Sequence, residues 1–170
     1  MSIVVETERL ILRTWLLNDL KDFFDIYGDA EVWRLSDPKA VFKSEDEARR
    51  ALRREIAYQE EHGVCRWATV EKSKGRVIGA CGFNLLEAGP ELELVFHFAR
   101  LYWGRGYATE AAGACLRHAF RELNAPAVVA LTAPQNLAAR RVLEKTGFVY
   151  QGVRHHRERE EAFYMAHKPV

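Results

Sequence analysis

Long apolar runs are what this sequence most clearly lacks. None approaches the roughly 20 residues that a membrane-spanning helix needs, and residues 1–12 have no charged-then-apolar leader, because Glu6 and Glu8 interrupt them. An excess of one charge sign is also missing: 25 Lys plus Arg stand against 24 Asp plus Glu, a formal charge of +1. A surface that tracks nucleic-acid phosphates shows as a basic surplus, so no nucleic-acid partner is expected. Cysteine is scarce. Cys65, Cys81 and Cys115 form an odd set without a Cys-x-x-Cys pair, and read as reduced, mostly buried thiols of a cytoplasmic protein. His62, His155, His156 and His167 lack metal-ligand spacing, so no metal is expected. Repeats, low-complexity tracts and linker-like stretches are absent, which leaves one domain over residues 1–170. With 48% apolar and 29% charged residues, that domain can bury a core.

The hydrophobic pattern divides the chain into strands and helices. Residues 3–15 read as a first strand, and residues 18–27 as a helix with Leu20, Phe23, Phe24 and Tyr27 on one stripe, stopped by Gly28. Ser44-Glu45-Asp46-Glu47 is a capping box, and the helix it opens runs to His62, with Gly63 as its left-handed stop. Strands follow at 66–72, 76–86 and 91–98, the first two joined through Ser73-Lys74-Gly75. In the third, alternation sets Leu92, Leu94, Phe96 and Phe98 on one face and Glu91, Glu93, Val95 and His97 on the other. A helix over 109–123, a strand over 127–132, a helix over 137–146 capped by Asn136, and strands at 149–156 and 162–167 complete the chain. The segment 154–161 alternates in charge sign and reads as a solvated hairpin around a turn at 157–161. Early hairpins followed by strand–helix–strand units predict an α/β fold, an α+β mixed sheet.

The chemistry concentrates at Trp103-Gly104-Arg105-Gly106-Tyr107-Ala108, a strand-to-helix turn with two glycines. Glycine admits close backbone approach, and a helix start leaves N–H groups unpaired, so the turn is either merely tight or an anion nest. A phosphate loop would need Gly-Lys-Ser/Thr, which is missing. A dinucleotide fingerprint would need glycine where Thr109 stands and an acid at the end of the next strand, and residues 127–132 contain none.

Residues 103–111, Trp-Gly-Arg-Gly-Tyr-Ala-Thr-Glu-Ala, resemble the Gln/Arg-x-x-Gly-x-Gly/Ala signature of the GNAT N-acetyltransferase superfamily. Tyr102-Trp103-Gly104 before it is similar to the RimJ/RimL-like ribosomal-protein-alanine N-acetyltransferase branch. Thr7-Glu8-Arg9-Leu10-Ile11-Leu12-Arg13 resembles the first strand of that branch. Asn136, followed by Val142-Leu143-Glu144-Lys145-Thr146-Gly147-Phe148, resembles its Asn-x-x-Ser-x-x-Val-Leu-Glu-Lys-x-Gly-Phe helix.

The resemblance implies a GNAT-type fold: a mostly antiparallel central sheet of about seven strands, about four flanking helices, and strands splayed into an acetyl-CoA cleft. It implies that amides of Trp103, Gly104, Arg105, Gly106, Tyr107, Ala108 and Thr109 hold the coenzyme A diphosphate, with Arg105 or Arg140 reaching a phosphate. Backbone groups of Phe96, His97 and Phe98 would pair with the pantetheine arm, and Asn136 would hydrogen-bond it. Acetyl transfer to a primary amine, by direct attack on the thioester, would use Glu93 as base with His97 as runner-up. The acceptor, a protein N-terminus or a small-molecule amine, would enter beside the first two helices and the final hairpin, around Trp33, Phe83 and Tyr164. The usual proton donors are absent: Ala139 stands at the branch's serine position and Leu143 where other branches carry tyrosine. Tyr102 and Tyr164 are the remaining candidates for the acid, and solvent is the alternative. That loss also admits a catalytically weak acyl-CoA-binding sensor. The family commonly forms homodimers.

Overall fold

The computed structural model describes residues 1–86, 91–156 and 158–170. Eight strands form one sheet: β1 (Ile3–Glu6), β2 (Leu10–Arg13), β3 (Arg66–Glu71), β4 (Arg76–Leu85), β5 (Leu92–Phe98), β6 (Ala127–Thr132), β7 (Val149–His156) and β8 (Arg159–His167). Their order is β1-β2-β3-β4-β5-β6-β8-β7. Every neighbouring pair is antiparallel except β5–β6. Among the described residues, five α-helices accompany the sheet: α1 (Leu20–Tyr27), α2 (Ala30–Trp33), α3 (Glu45–His62), α4 (Tyr107–Arg121) and α5 (Leu137–Lys145).

The expected first strand is two strands, which raises the count from seven to eight. The Thr7 hydroxyl accepts the Leu10 N–H at 3.0 Å and turns the chain between them. The fifth helix is α2, a single turn capped by Asp29, whose carboxylate accepts the Glu31 N–H at 3.0 Å. Four residues are too few to show a helical period. Ser44 caps α3 by accepting the Glu47 N–H at 3.2 Å, and Gly63 ends it at φ 72°. Glu47 reaches one residue further back than a capping box requires, to the Lys43 N–H at 2.7 Å. Helix α4 begins at Tyr107 rather than 109, so Tyr107 and Ala108 belong to its first turn. Of the expected turn at 157–161, Arg157 lies outside the described residues, and β8 already begins at Arg159.

Alternation in β5 survives because its register with β4 runs one-to-one from Gly79↔Phe98 to Leu85↔Leu92. The two faces of the sheet carry different helices. Cys81, opposite Phe96, points at α4, where its sulfur lies 3.6 Å from that of Cys115. His97 points the other way, with its ring centre 5.6 Å from that of Tyr27 in α1. The α4 side presents Ala111, Ala112, Cys115 and Ala119, all fully buried, and such small side chains let helix and sheet approach closely. All three cysteines are buried and unlinked, and burial, then the neighbouring Cys115, pushes the Cys65 thiol up to about 12. Near the chain start, Arg13 makes a two-pronged ion pair with the buried Asp19 at 2.7 and 2.8 Å. Asp19 also accepts the Leu16 N–H at 2.8 Å, so its charge is satisfied.

Candidate active site

The site begins where the sheet opens. Among the described residues, strands β5 and β6 pair only at Leu92↔Val128 and Glu93↔Val129. Beyond Glu93 the paired register ends. Two bonds reveal which backbone groups of β5 face the opening: Leu86 N–H donates to the Glu91 carbonyl at 3.0 Å and Ala99 N–H to the Ile78 carbonyl at 2.9 Å. Odd-numbered residues of β5 therefore bond to β4, and strand alternation turns Leu94, Phe96 and Phe98 toward the opened side. The backbone of His97 faces Ala80 of β4, which removes it from the expected pantetheine-pairing set. The Phe98 carbonyl already accepts the Trp103 indole N–H at 2.7 Å.

The exposed edge leads into the glycine turn. Gly104 and Gly106 both adopt left-handed backbone, at φ 73° and 79°. A side chain at Gly104 would meet nothing within 4 Å, and one at Gly106 only the Arg9 guanidinium at 3.5 Å, so the space over both is open. Helix α4 starts immediately after, and its first helical bond runs from Glu110 N–H to the Gly106 carbonyl at 3.0 Å. The amides of Tyr107, Ala108 and Thr109 precede that bond and have no partner within the helix. Open space before unpaired donors at a helix start suits a diphosphate. The Tyr107 side chain is turned inward instead: its hydroxyl donates to the buried Glu71 at 2.5 Å. That bond holds the Glu71 carboxyl below its ordinary range and raises the phenol. Arg105 lies outside, 5.6 Å from the Tyr102 ring centre.

Glu93 and His97 share the face away from α4. Glu93 is 8% exposed and lies opposite Asn84, at the point where the strands part. His97 is walled by Tyr27 and by Trp33, whose ring centre is 5.1 Å away. Its Nδ1 is buried and has no hydrogen-bond partner among the described residues. Burial, with a smaller push from the Arg66 charge, drives the imidazole down to about 3, so it stays neutral and is too weak a base near pH 7. Arg66 stands on the same face, opposite Gly82 and ion-paired to Glu55 of α3.

The three residues expected around the acceptor do not meet. Phe83 pairs with Leu94 on the α4 face, is fully buried, and packs edge-on against Trp67, which in turn meets His118 of α4. Tyr164 is also fully buried; its hydroxyl accepts from Arg140 Nε at 2.8 Å and donates to Glu144 Oε1 at 3.1 Å. Arg140 Nη1 also donates to the Pro134 carbonyl at 3.1 Å. Only Trp33 stands beside His97. A cavity of about 340 Å³ is lined by Leu35, Ala133, Gln135, Arg159, Glu160 and Glu161. It lies between the segment after α2 and the final hairpin; the hairpin is one of the expected elements, whereas Leu35 belongs to neither of the two expected helices. In the sequence, Glu160 and Glu161 read as part of a solvated hairpin. Asn136 caps α5, its side chain accepting the Ala139 N–H at 3.1 Å. Leu143 is buried. Among the described residues no group of three or more His, Cys, Asp or Glu side chains is arranged to hold a metal, and no helix is long and apolar enough to cross a membrane.

Residues 9–149 match the acetyltransferase (GNAT) domain family, and the chain belongs to it. It is an acetyltransferase, of a family that takes its acetyl group from acetyl-CoA. The chain is 41% identical over 91 residues to YkkB of Bacillus subtilis (strain 168), an alignment spanning 52% of this chain and 53% of that protein. It is 28% identical over 148 residues to the uncharacterized N-acetyltransferase p20 of Bacillus licheniformis, covering 86% and 83% of the two chains. Its fold is also that of RimL, the ribosomal L7/L12 alpha-N-protein acetyltransferase, solved in complex with coenzyme A: TM-score 0.84, 16% identity, 98% of each chain covered.

Proposed function

We propose that this protein is an N-acetyltransferase of the RimJ/RimL type that moves the acetyl group of acetyl-CoA to a primary amine. One observation carries the reading: the opened edge of β5 runs directly into the Gly104–Gly106 turn. A strand-like amide arm ending in a diphosphate is the ligand that fits such an edge followed by such a nest. Amides of residues 103–109 hold the diphosphate, with Arg105 beside it. Phe96 and Phe98 pair with the arm, and Asn136 flanks it from the far side. Bound there, the coenzyme supplies a thioester-activated acetyl group.

The protein's own task is to deliver a neutral amine and to stabilise the charge that develops on the acetyl oxygen. Glu93, buried at the fork, takes the proton of the entering ammonium. The neutral His97, with Trp33 and Tyr27, forms a wall that keeps water from the amine. A backbone N–H of β5 on the opened side serves as the oxyanion donor. The departing thiolate takes its proton from solvent, since Ala139 and Leu143 have none to give and the Tyr164 hydroxyl is bound to Glu144. The amine enters through the cavity beside Glu160 and Glu161, whose carboxylates attract a protonated acceptor. Three reduced, buried thiols suit the cytoplasm.

A second reading, an acyl-CoA-binding sensor, is favoured by the missing hydroxyls at 139 and 143. Thiol release from acetyl-CoA with a panel of N-terminal peptides and small amines separates the two. The enzyme reading expects acceptor-dependent release that Glu93→Gln suppresses. Micromolar coenzyme binding without release to any amine would leave the sensor.

A further inference from the structure

The turn between β1 and β2 docks onto the first turn of α4, about 100 residues away in the chain. Glu110 is the anchor. The Thr7 hydroxyl donates to its Oε1 at 2.6 Å, the Arg9 backbone N–H to the same oxygen at 3.0 Å, and Arg9 Nε to its Oε2 at 2.6 Å. Burial raises the Glu110 carboxyl, but these bonds outweigh it and hold the group below its ordinary range. Arg9 then extends past Glu110: its Nη1 donates to the Arg105 carbonyl at 3.0 Å, and its guanidinium carbon lies 4.3 Å from the Tyr107 ring centre. Lys72 fixes the other side of the turn by donating to the Thr7 carbonyl and pairing with Glu6 at 2.7 Å.

The Arg105 carbonyl belongs to the peptide that joins Arg105 to Gly106, within the only stretch of α4's approach where two left-handed glycines flank one residue. Such a peptide is free to rotate as a plate, because glycine tolerates both orientations. In a trans peptide the C=O and N–H point in opposite directions. Holding the carbonyl toward the Arg9 guanidinium therefore turns the Gly106 N–H away from Arg9. We propose that Arg9, locked by Glu110 and Thr7, is a positioning residue for the diphosphate nest: it selects the one orientation of the Arg105–Gly106 peptide that aims its N–H at the ligand. It acts through the backbone of the turn. The inference rests on the coenzyme assignment above, and it explains why two segments so far apart in sequence work as one unit.

The test compares wild type, Arg9→Ala, Arg9→Lys and Glu110→Gln in two assays. Calorimetry reads binding of free coenzyme A, and kinetics compare acetyl-CoA with S-acetylpantetheine, which carries the same thioester arm without a diphosphate. Loss of charge-assisted bonds in Arg9→Ala is expected to weaken coenzyme A by about tenfold or more and to raise KM for acetyl-CoA with kcat near wild type. S-Acetylpantetheine turnover should be unchanged. Arg9→Lys should recover part of the affinity, and Glu110→Gln should shift it in the direction of Arg9→Ala. If Arg9→Ala fails to fold, the other two variants give the reading. Unchanged affinity in all variants, or equal losses with both acetyl donors, overturns the proposal while the coenzyme assignment stands. A wild type that does not bind coenzyme A overturns both.

Discussion

His97 should make this protein lose stability in mild acid, by an amount the structure sets. The imidazole is pushed from an ordinary 6.5 to about 3, mainly by burial. Between those two values the unfolded chain carries a proton that the folded protein excludes. Unfolding therefore takes up a proton, and stability falls as pH falls below 6.5, by about 1.4 kcal/mol for each pH unit. Nothing is lost above pH 7. At pH 5 the penalty reaches about 2 kcal/mol, a large share of the margin of an ordinary domain. Other titrating groups add their own pH dependence, so the comparison is with His97→Phe, which keeps a neutral ring between Tyr27 and Trp33. Urea denaturation of both proteins at pH 7.5 and pH 5.0 gives four free energies. The wild type should lose about 2 kcal/mol more than the variant between the two pH values. Equal losses would refute the reasoning and mean that the imidazole protonates freely in the folded state.

Glu93→Gln should lower kcat/KM by about 10²- to 10⁴-fold, the usual worth of a positioned base, with acetyl-CoA affinity unchanged by calorimetry. Undiminished turnover would remove Glu93 from the reaction. Asp19→Asn leaves the Arg13 guanidinium buried without a full counter-charge and should cost about 3 kcal/mol in chemical denaturation. Tyr164→Phe unfastens Arg140 from Glu144 and should cost about 1 kcal/mol of stability with kcat near wild type; a collapse of kcat would instead make Tyr164 the acid. Gly106→Val places a β-branched residue at φ 79° and should cost about 1–2 kcal/mol, with a rise in KM for acetyl-CoA that steady-state kinetics would detect.

Legibility in the sequence followed the range of the forces involved. Helix α3 could be read at both ends because Ser44 and Gly63 act within one turn of themselves. Strand β5 could be read face by face because alternation is local and its register with β4 has no shift, so Glu93 and His97 were expected on one face and share it. What failed depended on distant partners. The break at Thr7–Arg9 is stabilised by Glu110, about 100 residues away. Phe83 was expected near Trp33 but shares the face of Leu94 and packs on Trp67, partners that lie far from it in the chain. The low basicity of His97 arises from burial by helices α1 and α2, which alternation along β5 cannot report.

The opening between β5 and β6 also has a meaning for the chain as a whole. All five strands on one side of it precede α4 in sequence, and all three on the other side follow it. The sheet is thus two successive lobes joined covalently by one helical segment and along the sheet by two residue pairs. A molecule lying in that opening would act as a stitch between the first and second halves of the polypeptide. Its binding energy would be felt by both lobes at once, because neither could come apart without releasing it.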